Sequence, residues 1–238
     1  MKFKRLSLLT AALLTAALLA GAFCGAAQAA SNGVAITEWM YQGNGAGGLG
    51  EFVELTNLGT TAVDFTGWSF DDNTRAAGSQ SLSAFGSVAA GESVIITELS
   101  ASAFRSDWSL SALVKVISIG GSNNLGRSDE INIYNASSAL IDRLTYNDQV
   151  AGPRTNGVSG EPGSAAVIGA NNAALWNLST VGDSEHAYTS SLGEIGSPGQ
   201  TAYAVAAVPE PDTYALMLAG LGLVGFVARR RQRNAGRA

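Results

Sequence analysis

An all-β sandwich is the fold this sequence predicts, and three observations carry it. Short runs of β-branched and aromatic residues recur between turn residues along the middle of the chain. The 29 glycines, five prolines and only 14% charged residues suit many short strands joined by turns. Some eight such strands, roughly 8–12 residues apart, favour two packed sheets.

The elements follow in order. Gly33–Met40 is the first strand, with Val34, Ile36 and Glu38 expected on one side and Ala35, Thr37 and Trp39 on the other. Gln42–Gly50 has five glycines in nine residues and reads as a flexible loop; with no Gly-Lys pair and no helix after it, it is not a phosphate loop. Glu51–Asp72 is the organising stretch, a meander of three strands. Its first strand mixes Phe52, Val53 and Leu55 with Glu51 and Glu54, which call for a wet face, and the alternation slips at Phe52-Val53 as at a bulge. Asn57–Thr61 supplies a turn, Val63 and Phe65 a short strand, and Gly67 a break before Trp68 and Phe70 on one face.

Ser93–Thr97 reads as a buried strand. Ser100–Trp108 suits a short helix, capped by Ser100 or Ser102, with Phe104 and Trp108 facing inward at i, i+4. Leu113–Ile119 is another strand. Ile131–Tyr134 and Leu140–Tyr146 form a hairpin across Asn135–Ser138, with Asp142 and Arg143 read as surface charges. Residues 147–200 are irregular, anchored by Trp176 and Leu178.

The two ends differ from the middle. Lys2, Lys4 and Arg5, the apolar run Leu6–Phe23 and the small residues Ala27-Gln28-Ala29 make residues 1–29 a signal peptide cut between Ala29 and Ala30. Phe23 before Cys24 does not suit lipid attachment, and loss of Cys24 with the signal leaves no cysteine. At the other end stand Pro209-Glu210-Pro211, a 15-residue apolar run Tyr214–Ala228, and Arg229, Arg230, Arg231 and Arg233. As a helix that run would span about 22 Å, enough for one membrane crossing once flanking residues are counted. The arginines hold the tail in the cytoplasm and the middle of the chain outside.

Charge narrows the function. Residues 30–208 carry 17 acidic side chains against six basic ones. Such a domain repels phosphate backbones, which excludes nucleic acid and leaves cationic partners or Ca²⁺. Asp71-Asp72-Asn73-Thr74 is read first as a solvated turn; Asp71 and Asp72 with Asn147-Asp148 are also the candidate Ca²⁺ ligands of a glycan-binding domain. Glu51 and Glu54 are the one carboxylate pair for a hydrolase of matrix polymers, although two neighbouring strand residues explain them more simply. The single histidine, His186, has no nucleophile motif beside it and reads as a surface residue. No catalytic residue and no resident cofactor are expected.

Two resemblances sharpen this. The stretches EFVELTNLG, GWSFDD, Val88–Ile96, Ser128–Tyr134 and Ala139–Tyr146 resemble successive strands of the lamin tail domain, over roughly residues 34–200. That likeness implies an immunoglobulin-like β-sandwich, shared by nuclear lamins and secreted bacterial proteins. The end of the chain resembles the PEP-CTERM sorting signal of Gram-negative bacteria. This implies recognition by an exosortase, a membrane protease-transpeptidase, and company with exopolysaccharide and biofilm. The expected layout is a signal peptide at 1–29, the sandwich at 30–200, a linker at 201–208 and the sorting signal at 209–233. The expected role is that of a non-enzymatic envelope or matrix protein. It would be held transiently at the inner membrane and would then meet extracellular polysaccharide or envelope proteins. Amino-terminal sequencing of the exported protein is expected to start at Ala30; a start at Met1 would make the first segment an anchor.

Overall fold

The computed structural model of the protein describes residues 33–121, 123–204 and 221. The expected signal peptide and the apolar run 214–228 lie outside these residues, Leu221 excepted. Among the described residues no helix is long and apolar enough to cross a membrane.

The architecture is all-β with one short α-helix, as the sequence leads one to expect. The strands are β1 (Val34–Met40), β2 (Phe52–Asn57), β3 (Val63–Asp64), β4 (Ser69–Asp71), β5 (Gln80–Ser81), β6 (Ser87–Val88) and β7 (Ser93–Thr97). Helix α1 (Ala101–Asp107) leads to β8 (Lys115–Ser118), β9 (Ser128–Tyr134) and β10 (Leu140–Asn147). β11 (Gly160–Pro162), β12 (Trp176–Leu178), β13 (Tyr188–Thr189) and β14 (Ile195–Gly196) complete the chain. The two main sheets have six strands in the order β12-β11-β1-β2-β7-β8 and four in the order β10-β9-β4-β5, and β13-β14 and β3-β6 form two-stranded ladders. All pairings are antiparallel except β7–β8, which α1 connects in parallel.

The core lies between the sheets. Val34, Ile36, Trp39, Val53, Leu55, Val94 and Ile96 from the larger sheet meet Phe70, Ile131, Ile133, Leu144 and Tyr146 from the smaller. Each fully buried aliphatic or aromatic side chain of this kind contributes roughly 1.5–3 kcal/mol. Trp39 packs against Tyr146 with ring centroids 3.9 Å apart and the rings tilted by 33°. Trp68 joins the same core as Phe70, as their shared face predicts, and Phe65 stacks on Trp68. The Asn57 turn forms as read: its side chain accepts from Gly59 N and donates to the carbonyls of Thr61 and Val88.

The larger sheet has a second buried face. Met40, Phe52 and Ile95 point away from the main core and pack under Phe104 and Trp108 of α1. The helix begins as predicted, with Ser100 Oγ accepting from Ala103 N.

Several expectations change. The bulge is in β1, not at Phe52-Val53: the register with β2 shifts between Ile36 and Glu38, so Thr37 is the extra residue. The shift turns Trp39 inward beside Val34 and Ile36, and sends Glu38 to the other face. Glu51 and Glu54 have no wet face; they are 3% and 0% exposed. Asp142 is also buried. Its Oδ2 accepts from Ile36 N at 2.8 Å, linking the edge of the smaller sheet to the bulged strand of the larger. Arg143 lies along β9, beside Asn132 and 3.8 Å from Glu130. Trp176 is an anchor, but Leu178 is 43% exposed. The Gly-rich loop is pinned, with Asn44 N donating to Glu194 Oε1 at 2.7 Å. On the outer edge of β10, Asp142 Oδ1, Asn171 Oδ1 and the Ala151 carbonyl take the N–H groups of Arg143, Thr145 and Asn147.

Asp142→Ala would leave the buried Ile36 N–H without a partner. The expected loss is about 1–3 kcal/mol in urea unfolding, with a smaller loss for Asp142→Asn, which keeps an acceptor.

Candidate functional site

The chemistry of this chain is concentrated on the outer face of β1 and β2. The bulge places Glu38 opposite Glu54 in the strand register. The two carboxyls are 1% and 0% exposed, and none of the ion pairs among the described residues includes either. Hydrogen bonds replace the missing cation. Thr37 Oγ1 donates to Glu54 Oε1 at 2.6 Å, with Thr56 Oγ1 at 3.2 Å. Ser159 Oγ donates to Glu38 Oε1 at 2.5 Å. Two further donors are backbone N–H groups from the far end of the domain. Ser197 N donates to Glu38 Oε1 and Gly199 N to Glu54 Oε2, each at 2.7 Å.

The pattern continues along the chain's last turn of contacts. Glu185 Oε2 accepts from Thr201 Oγ1 and from Ala202 N, both at 2.7 Å. Tyr203 OH donates to the Pro162 carbonyl at 3.0 Å. The bonded body thus runs three residues into the stretch expected as linker. Ser159 and Ser179 hydroxyls, 2.7 Å apart, carry the network from Glu38 towards Glu161. Gly196 is required by close approach: a Cβ there would lie 2.7 Å from Glu38 Oε1 and 2.8 Å from Ser159 Oγ.

Burial, then the charge of Glu54, pushes the Glu38 carboxyl well above its usual range. Burial lifts Glu54 to about 7 against the donors around it. For Glu54 that shift makes the ionised form costlier by roughly 3 kcal/mol. Burial likewise raises Glu161 and Glu194 to about 7, with help from neighbouring acids. Glu51 rises to about 9 through burial, although Leu125 N donates to it at 2.7 Å.

The sequence candidates fare differently. Asp71 is buried and holds its own turn, accepting from Thr74 Oγ1 and Ala76 N. Asp148 accepts from Tyr41 OH and both Arg127 nitrogens, with Arg154 at 3.9 Å, so guanidinium groups stand where a cation would. Asp72 lies in the field of Glu51 and Asp129 instead. Among the described residues no three His, Cys, Asp or Glu side chains are grouped to hold a metal ion. Glu51 and Glu54 are held by different segments, Leu125 and Gly199, and are not brought together as an acid–base pair. His186 is exposed. Ala29, Ala30, Pro209, Glu210, Pro211 and the arginines 229–231 and 233 lie outside the described residues.

Sequence reasoning missed Glu38, Glu161, Glu185 and Glu194 as interior groups. One signal was available: Glu38 and Glu54 each interrupt an apolar strand, in a domain with only six basic side chains to pair.

The described residues form a two-sheet β domain whose outer face is covered by the segment that follows β14. The Lamin Tail Domain profile matches residues 27–148, and the chain belongs to that family. A second match, the PEP-CTERM protein-sorting motif, covers residues 207–231. That motif implies an exported protein, sorted at the membrane of a Gram-negative envelope and handled by an exosortase. No curated protein matches the chain. The family profile ends at Asp148, so β11–β14 and the segment reaching Tyr203 lie beyond it.

These carboxyls set the pH response. Groups raised in the folded state bind protons more tightly there than in the unfolded chain, so stability falls as pH rises from about 4.5 through 7 to 9. Glu130, held down to about 2 first by Arg75, acts oppositely and loses its contribution only in stronger acid. Urea midpoints are expected to peak near pH 5 and decline steadily to pH 9. A midpoint that rises over that interval would contradict the buried acids.

Proposed function

We propose that the protein is a non-enzymatic structural or interaction module of the cell envelope or extracellular matrix. An exosortase acting at Pro209-Glu210-Pro211 would deliver it. The observation that carries this reading is how the acids are used. Glu38, Glu54, Glu185 and Glu194 each accept hydrogen bonds from the chain's own backbone. Carboxyls engaged in this way make a rigid body and are not free to meet a substrate.

The basic side chains support the same reading. Arg75 pairs with Glu130, Lys115 with Glu92, and Arg127 and Arg154 with Asp148. Arg143 reaches Glu130, and Arg105 donates to the Val114 carbonyl. The six basic groups of the domain are thus occupied, and the surplus charge is acidic. Loops of such a surface suit cationic proteins, or polysaccharide reached with Ca²⁺ as a bridge. The signal peptide cut at Ala29-Ala30, the hold through 214–228 and the arginines 229–231 and 233 would bring the domain to the outer side of the inner membrane. Processing near Pro209 would then release it.

Two measurements test the reading. In a host with its exosortase, replacing Pro209, Glu210 and Pro211 together by alanine is expected to leave uncleaved precursor in the inner membrane. The processed protein is expected to sediment saturably with the host's extracellular matrix, and a chelator arm reports whether Ca²⁺ takes part. Absence of sedimentation with and without Ca²⁺ would remove the matrix role.

A further inference from the structure

The segment Ser197–Tyr203 is attached in an unusual way. Its backbone joins no strand, and its own backbone bonds, Gln200 N to Ser197 O and Ala204 N to Thr201 O, are internal. What fastens its amides to the domain is three glutamates: Glu38 takes Ser197 N, Glu54 takes Gly199 N, and Glu185 takes Ala202 N. The preceding residue pair is different, because Ile195 is bound through backbone to Gly157 and Ser159. A boundary between ladder-held and carboxyl-held chain therefore falls at Gly196.

Two of the three fasteners face each other across β1 and β2, buried and without a cation. The other titratable groups around them are also acidic or neutral: Glu161 on β11, Tyr188 on β13, and Asp107 at the end of α1 near Tyr188. Glu185 faces Glu161, with Asp183 close by and exposed His186 next in sequence. Two carboxylates at adjacent buried positions repel strongly in so dry a site, and one shared proton removes that repulsion. A protonated carboxyl still accepts an N–H bond through its carbonyl oxygen.

We propose that Ser197–Tyr203 is a proton-held latch, which stays on the sandwich while Glu38 and Glu54 share a proton and lifts when both ionise. The latch lies directly before the sorting motif. With it closed, five residues (204–208) join the body to Pro209. With it open, twelve (197–208) do. Fully extended, those lengths reach about 17 Å and about 40 Å. The pH on the outer side of the membrane thereby sets how far the folded domain stands from its processing site. This consequence rests on the sorting reading; the latch itself is a property of the purified chain.

The test is hydrogen exchange on the full chain in detergent, without exosortase, with protection factors corrected for intrinsic rate from pH 5 to 9.5. Protection at Ser197, Gly199 and Ala202 is expected to fall at least tenfold above neutral pH, while Val53, Leu55 and Ile95 keep theirs. Glu38→Gln, which removes a charge and keeps an acceptor, is expected to hold the latch shut at pH 9. Constant protection across the range would overturn the proposal. So would loss shared with β2 and β7, or a Glu38→Gln profile identical to wild type. Should that variant not fold, the wild-type profile decides, with Glu54→Gln as the second substitution. Failure here would leave cleavage at Pro209 untouched, and a cleavage failure would leave the latch untouched.

Discussion

Everything on the outer face of the larger sheet depends on the placement of two carboxyls, Glu38 and Glu54, side by side in a dry position. One bulged residue, Thr37, makes that placement. Without it, the alternation of β1 would send Glu38 into the core and Trp39 out of it. With it, Trp39 packs against Tyr146 inside, and Glu38 turns to the face to which Ser197 comes back. The cost of burying both acids is offset by hydroxyl and amide donors, several of which come from residues beyond 158. The C-terminal part of the domain and the acids of β1 and β2 therefore need each other.

This arrangement explains why the folded body extends past the end of the family match. A sheet ending at Asp148 would leave Glu38 and Glu54 facing water, with Met40, Phe52 and Ile95 beside them under α1 alone. β11 and β12 widen the sheet next to β1, and β13, β14 and the following segment roof its outer face. The Ser197-Pro198-Gly199 sequence supplies an amide at each end and a proline between that needs no acceptor.

Much of this fold was legible in the sequence, for physical reasons. Strands such as Ser93–Thr97, the Asn57-Gly59 turn, the Ser100 cap and the Asn135–Ser138 hairpin depend on nearby residues, so local pattern finds them. The bulge at Thr37 was not legible, because Thr37-Glu38-Trp39 fits either register until β2 is paired. Nor was the burial of Glu51, Glu54 and Asp142. A charged side chain in a strand is usually at the surface, and each of these bonds a partner 70 or more residues away, Leu125, Gly199 or Ile36, that no local pattern reveals. The candidate cation ligands failed to converge for a related reason. Neighbours in sequence, Asp71 and Asp72 point to different surroundings once β4 is paired.

The smaller sheet has a closed outer edge. The free side of β10 offers no open row of donors, because Asp142, Asn171 and Ala151 already occupy them. An eight-residue edge strand is the natural place for one copy to add to the next and start a fibre. Plugged in this way, β10 presents no ready template for another strand. A second copy could add a strand there only after displacing these bonds, a cost that an open edge would not carry.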